Sequence, residues 1–160
     1  MSLDADRVYT AALRLLARRE LSESQIRARL ARRQFADDDI GAAIARLQRE
    51  RALDDHRTAL ACARTQVRLK HRGRARVVRE IQALGISRST AGRAVAEVFA
   101  DLDEPALLER ALDQRLRRGV SLDDPAIHRR LHRYLVGQGF DPGDVSALLH
   151  ARARHRDTSE

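Results

Sequence analysis

Three stretches of this chain set apolar residues in one register around a large apolar turn residue, and that repetition limits the fold more than any other feature. The turn residues are Phe35, Ile86 and Phe140. Five residues before them stand Leu30, Ile81 and Leu135, and nine before stand Ile26, Val77 and Leu131. Five after come Ile40, Ala91 and Val145, and nine after come Ile44, Val95 and Leu149. Steps of four on each side place these residues on one face of a helix before the turn and of another after it. Gly85 and Gly139 immediately precede the turn residue, where a helix commonly ends in a left-handed residue, and the first copy has Gln34 there instead. Ser87 and Asp141 follow the turn as N-caps, and the first copy is expected to use Asp37 or a neighbour.

Each copy opens with one further helix. Tyr9, Leu13 and Leu16 form its stripe in the first copy, before a capping box spanning Ser22 to Gln25. The second runs from about Thr58 to Lys70 with Ala59, Ala63, Val67 and Leu69, and the third follows Glu104-Pro105 with Leu108, Leu112 and Leu116. The expected architecture is all-α: an elongated array of three tandem three-helix repeats over residues 5–53, 54–100 and 101–151, with a polar tail at 152–160. Composition agrees, because Ala and Leu supply most of the apolar surface, aromatic residues are only 3%, and there is no Trp.

Lys plus Arg number 31 against 23 Asp plus Glu, a formal charge of +8, and Lys70 is the one lysine. Such an excess attracts polyanions through counterion release. Many acids fall where helices should start, as at Asp37 to Asp39, Asp101 to Glu104 and Asp141, which leaves arginine to dominate the outer faces. The densest basic stretch is Arg64, Arg68, Lys70, Arg72, Arg74, Arg76 and Arg79, with no acid among them and Gly73 expected to break the chain between two helices. Guanidinium groups bond phosphate bidentately, so this run reads as a phosphate-contacting surface; the competing reading is a solvated face of an arginine-rich protein. Arg27, Arg29, Arg32 and Arg33 form a second cluster, and Arg115, Arg117, Arg118, Arg129, Arg130 and Arg133 a weaker third.

Catalytic residues, a metal site and a cofactor are not expected. Cys62 sits in the Ala-rich run Leu60 to Ala63 and reads as a small core residue. His128 and His132 stand at i, i+4 without an evident third ligand and read as surface residues. No segment reaches the roughly 20 apolar residues of a membrane span, so a cytoplasmic monomer with no membrane contact is the expectation. A helix–turn–helix or general DNA-binding reading also fits Ser22 to Leu47, although Asp38 and Asp39 at the start of the second helix would face phosphate.

The order of features resembles the RecX family of regulators of the RecA recombinase. The pieces are Ala12-Leu13 through Arg19, Ser22 to Arg27 with Leu30, Ile44 through Leu47, and Leu53-Asp54-Asp55. After them come Arg64 to Gly73, Arg76 to Ile81, Leu84-Gly85-Ile86, Arg133-Tyr134-Leu135 and Gln138-Gly139-Phe140. Thr58 departs from the aromatic that the family carries after the Asp-Asp pair, and Gln34 departs from its glycine. The resemblance implies a repeat protein that lies in the groove of the RecA–single-stranded DNA filament and limits recombination, ATP turnover and co-protease activity; its partner there is the RecA filament, with direct contact to DNA as a further option. Reversing the charge of Arg72, Arg74 and Arg76 would then abolish filament inhibition with helical content intact.

Overall fold

The computed structural model describes residues 3–116 and 122–157. These form nine helices and no strand: α1 (Leu3–Leu16), α2 (Glu23–Arg32), α3 (Asp37–Arg49), α4 (Asp55–Lys70), α5 (Arg74–Gln82), α6 (Arg88–Phe99), α7 (Glu104–Arg115), α8 (Pro125–Gly137) and α9 (Pro142–Asp157). They fall three by three, as the turn register demands, into an all-α helical repeat array.

The first three helices pack around Val8, Ala12, Ile26, Leu30, Ile40 and Leu47, all fully buried. Within α1 the inward stripe is Ala5, Val8 and Ala12, and Leu13 of the expected stripe points outward. Small residues let α1 lie close on α3, and the bulkier Tyr9 and Leu16 cover the edge of that contact. In α4 the expected Ala59, Ala63 and Val67 are buried, whereas Leu69 is 72% exposed. The last three helices enclose Leu108, Leu112, Leu131, Leu135, Val145 and Leu149, with Leu116 packed against that core. Each such side chain contributes about 1.5–3 kcal/mol by leaving water.

The caps decide where helices begin. Ser22 accepts from the Gln25 N–H at 3.1 Å and Gln25 answers to the Ser22 N–H, completing the capping box. Ser87 accepts from the Thr90 N–H, and Asp141 from those of Gly143 and Asp144. The cap of α3 is Ala36, which offers no side-chain bond; Asp37, Asp38 and Asp39 lie inside the first turn and act on the helix dipole instead. The Leu53-Asp54-Asp55 triplet divides its labour. Leu53 is buried, Asp54 accepts from the His56 and Arg57 N–H groups at the start of α4, and Asp55 reaches across to the Glu23 N–H at 2.8 Å. Burial is the main cause that raises the Asp55 carboxyl above its ordinary value. Thr58 is buried, and its hydroxyl lies 3.3 Å from the Leu21 carbonyl oxygen and 3.1 Å from that of Asp54.

All three turns preceding the apolar residue are left-handed, with φ of 62° at Gln34, 78° at Gly85 and 99° at Gly139. The latter two are also sites of close approach. A Cβ on Gly85 would strike the Ser24 side chain, and one on Gly139 would strike the Arg76 backbone nitrogen and lie 2.7 Å from the Gly73 carbonyl oxygen. The contacts obey one register. The Ser22 hydroxyl donates to the Leu84 carbonyl at 2.5 Å, while the Gly73 N–H donates to the Gln138 carbonyl at 2.8 Å. Ser22 and Gly73 each stand thirteen residues before their turn residue, and Leu84 and Gln138 each stand two before theirs. The turn of one repeat is therefore seated on the middle-helix start of the repeat before it, twice. Gln34 is exposed, with no neighbouring helix start pressed on it, so a side chain is tolerated there.

The chain divides into two compact units, Met1–Cys62 with Glu80–Ala94, and Ala63–Arg79 with Val95–Glu160. Each unit contains one of these seatings, which is why the middle three helices are shared between the units.

Candidate nucleic-acid interface

The basic stretch falls wholly in the second unit, on the end of α4, the connection 71–73 and the start of α5. The connection opens with a left-handed helix ending of the αL type. His71 takes φ 47°, its N–H bonds the Val67 carbonyl, and the Arg72 N–H reaches back to Gln66 at 3.2 Å. The left-handed residue is thus His71 rather than Gly73. Gly73 is glycine for another reason: a Cβ there would meet the Gly139 carbonyl carbon at 2.5 Å and oxygen at 2.6 Å.

The seven cations of this stretch separate into two groups. Arg64, Arg68 and Lys70 are exposed along α4 and make no ion pair among the described residues, and the exposed Leu69 stands between the last two. The others are engaged in the fold. Arg72 is half-buried and donates to Gln66 Oε1 at 2.8 Å, and Arg76 is half-buried. Arg74 pairs with Glu104 at 2.5 Å and lies over the Phe99 ring at 4.9 Å. Arg79 donates to the Gly137 carbonyl at 3.2 Å while remaining exposed. Sequence spacing treats all seven as equal, because it does not show which ones the next repeat takes as partners.

The second cluster lies in the first unit. Arg27 pairs with Glu23 at 3.1 Å, Arg29 is half-buried, and Arg32 and Arg33 are exposed at the end of α2, where positive charge suits the helix dipole. In the third cluster Arg115 covers the Tyr134 ring at 5.0 Å, and Arg129, Arg130 and Arg133 are exposed. Arg117 and Arg118 lie outside the described residues.

The remaining singled-out residues depart from expectation. Cys62 is only partly buried. His128 and His132 are half-buried against α9 rather than free on the surface. The His128 ring lies 5.1 Å from that of His150, and His132 Nε2 lies 3.1 Å from the Ser146 hydroxyl. Burial first, then the proximity of His150 and His132, lowers the His128 pKa. Among the described residues no group of three or more His, Cys, Asp or Glu is placed to hold a metal ion, and no helix is long and apolar enough to cross a membrane.

Known proteins resemble this chain in sequence and fold. The family model described as RecX, first three-helix domain, matches residues 9–47. The regulatory protein RecX of Treponema pallidum (strain Nichols) is 36% identical over 138 residues, covering 86% of this chain and 80% of that protein. The regulatory protein RecX of Pelodictyon phaeoclathratiforme is 27% identical over 146 residues, covering 91% of this chain and 89% of its own. The crystal structure of RecX from Lactobacillus salivarius superposes with a TM-score of 0.76 at 16% identity, over 94% of this chain and 97% of that one, a likeness of fold. On that 36% identity over most of both chains, the chain belongs to the RecX family.

Proposed function

We propose that this protein regulates the RecA recombinase by binding the RecA–single-stranded DNA filament in its groove. There it lowers recombinase, ATPase and co-protease activity, acting as a cytoplasmic monomer without catalysis of its own. The observation that carries the reading is the set Arg64, Arg68 and Lys70 on the last turns of α4, exposed and outside any ion pair among the described residues, in a member of the RecX family. Arg64 and Arg68 share one helix face at i, i+4 beside Glu97 and Asp101, and their free guanidinium groups are suited to phosphate. Arg72, Arg74, Arg76 and Arg79 then frame the turn that follows these cations. Arg27, Arg29, Arg32 and Arg33 supply further contacts from the first repeat, and the three repeats at 5–53, 54–100 and 101–151 bridge neighbouring filament subunits by many weak contacts.

The test is co-sedimentation with RecA filaments preassembled on single-stranded DNA with a non-hydrolysable ATP analogue, against naked DNA at matched salt. Preference for the filament, lost on changing Arg64, Arg68 and Lys70 to Glu, supports the reading. Equal affinity for naked DNA replaces it with general DNA binding.

A further inference from the structure

The second unit carries a groove whose chemistry opposes that of the rest of the chain. It has a volume of about 830 Å³ and lies among the start of α5, the start of α7 and the first turns of α9. Its floor is apolar, made by Val78, Leu108, Phe140 and Leu148, and the small side chains of Ala75 and Ala147 leave it open. Four carboxylates line it, from Glu104, Glu109, Asp141 and Asp144; Glu109 is paired with Arg152 at 3.3 Å, and the lining itself holds the one guanidinium of Arg74. That guanidinium is already taken by Glu104. Asp141 is held facing the α9 start by its N–H bonds, while Asp144 makes no ion pair among the described residues.

In a chain of formal charge +8 this groove is a local reversal of sign. A nucleic acid drawn to the basic face is repelled here, and its bases find no exposed aromatic platform beyond Phe140. A segment that offers both positive charge and large apolar side chains satisfies rim and floor together. We infer that the acid-rimmed groove between α5, α7 and α9 receives a short protein segment in which bulky apolar residues are flanked by Lys or Arg. The volume accommodates two or three such side chains, and the surrounding carboxylates select the flanking charge. A protein contact made here and a phosphate contact made at Arg64, Arg68 and Lys70 use different residues, so the inference does not depend on the reading above.

The experiment selects peptides from a random twelve-residue display library on the full-length protein, with counter-selection on Ala147→Arg. Ala147 is exposed on α9, and arginine there fills the groove without disturbing a buried contact; an unchanged melting temperature verifies this. The expected result is a family of peptides with Leu, Phe or Met flanked by Lys or Arg. Their affinity should fall at least tenfold on Ala147→Arg, severalfold on the double change Glu109→Gln and Asp144→Asn, and further in high salt. Selection of acidic or uncharged peptides, or of peptides that bind Ala147→Arg equally well, overturns the inference. So does self-association of the wild-type chain that Ala147→Arg abolishes, since the occupant would then be a second copy, with Arg68-Leu69-Lys70 the matching segment. Binding of a small apolar fluorophore with no selected peptide overturns it in favour of a small-ligand pocket. Single-stranded DNA affinity, measured in parallel, should be unchanged by Ala147→Arg.

Discussion

Gly139 lies directly against the backbone of Arg76, with no room for a Cβ between them. The same turn accepts the Gly73 N–H at Gln138, so this seating of the third repeat on the second is made backbone to backbone, beside the Arg74–Glu104 and Arg79–Gly137 contacts. Changing Gly139 to Ala adds a left-handed penalty of about 1–2 kcal/mol to the overpacking, and a total loss above ~2 kcal/mol is expected. Gly85→Ala should behave alike through Ser24. Urea denaturation followed by circular dichroism measures both, and a loss under ~0.5 kcal/mol would refute the seating.

Gln34 provides the complementary case. It holds the left-handed conformation without a close neighbour. Gln34→Gly relieves about 1–2 kcal/mol of backbone strain and forfeits about 0.4–1 kcal/mol through the freer unfolded chain. A net stabilisation of about 0.5 kcal/mol is expected in the same assay. The reverse exchange, Gly85→Gln, should destabilise strongly, and equal effects of opposite sign would show that conformation alone sets the residue.

His128 links stability to pH. Its pKa lies below the ordinary 6.5 because burial, His150 and His132 disfavour the imidazolium. The unfolded chain therefore binds the proton more readily, and the contribution, full above the ordinary value, is lost as pH falls through it towards the folded pKa. Urea midpoints should drop between pH 7.5 and pH 5.5, and His128→Gln should flatten that drop. An identical drop in the variant would assign it elsewhere.

The two groups of cations should separate experimentally. Reversing Arg72, Arg74 and Arg76 removes the Arg72–Gln66 and Arg74–Glu104 contacts and sets like charges together, so the melting temperature should fall by several degrees. Reversing Arg64, Arg68 and Lys70 breaks no ion pair and forfeits only the favourable charge in the last turn of α4, so it should lower the melting temperature by less. Matching thermal behaviour in both triples would mean that the contacts around α5 contribute nothing.

The repeat was legible from sequence because its signal is periodic: Leu30, Ile81 and Leu135 keep one register, and burial follows that register. The caps at Ser22, Ser87 and Asp141 were legible because capping is local. What escaped was tertiary. Leu13 was given to the core on spacing, but Val8 and Ala12 win because they permit a closer approach of α1 to α3. Gly73 carried a signal of close approach that looks the same in sequence as a chain break. The basic run was visible as a run, but its division into the exposed row on α4 and the arginines engaged around α5 depends on Glu104, Phe99 and Gly137, thirty or more residues away from Arg74 or, for Phe99, in the neighbouring helix. The acid-rimmed groove left no sequence motif, since Glu104 and Asp141 read as helix-start charges.

The central claim is tested most directly by RecA's ATP hydrolysis on excess single-stranded DNA, with the protein titrated well below RecA. The account predicts that a few molecules per filament depress the rate, and that the Arg64, Arg68 and Lys70 to Glu triple, folded as the wild type, does so at least tenfold less effectively. An undiminished rate with the wild type, or equal inhibition by the triple, would contradict it.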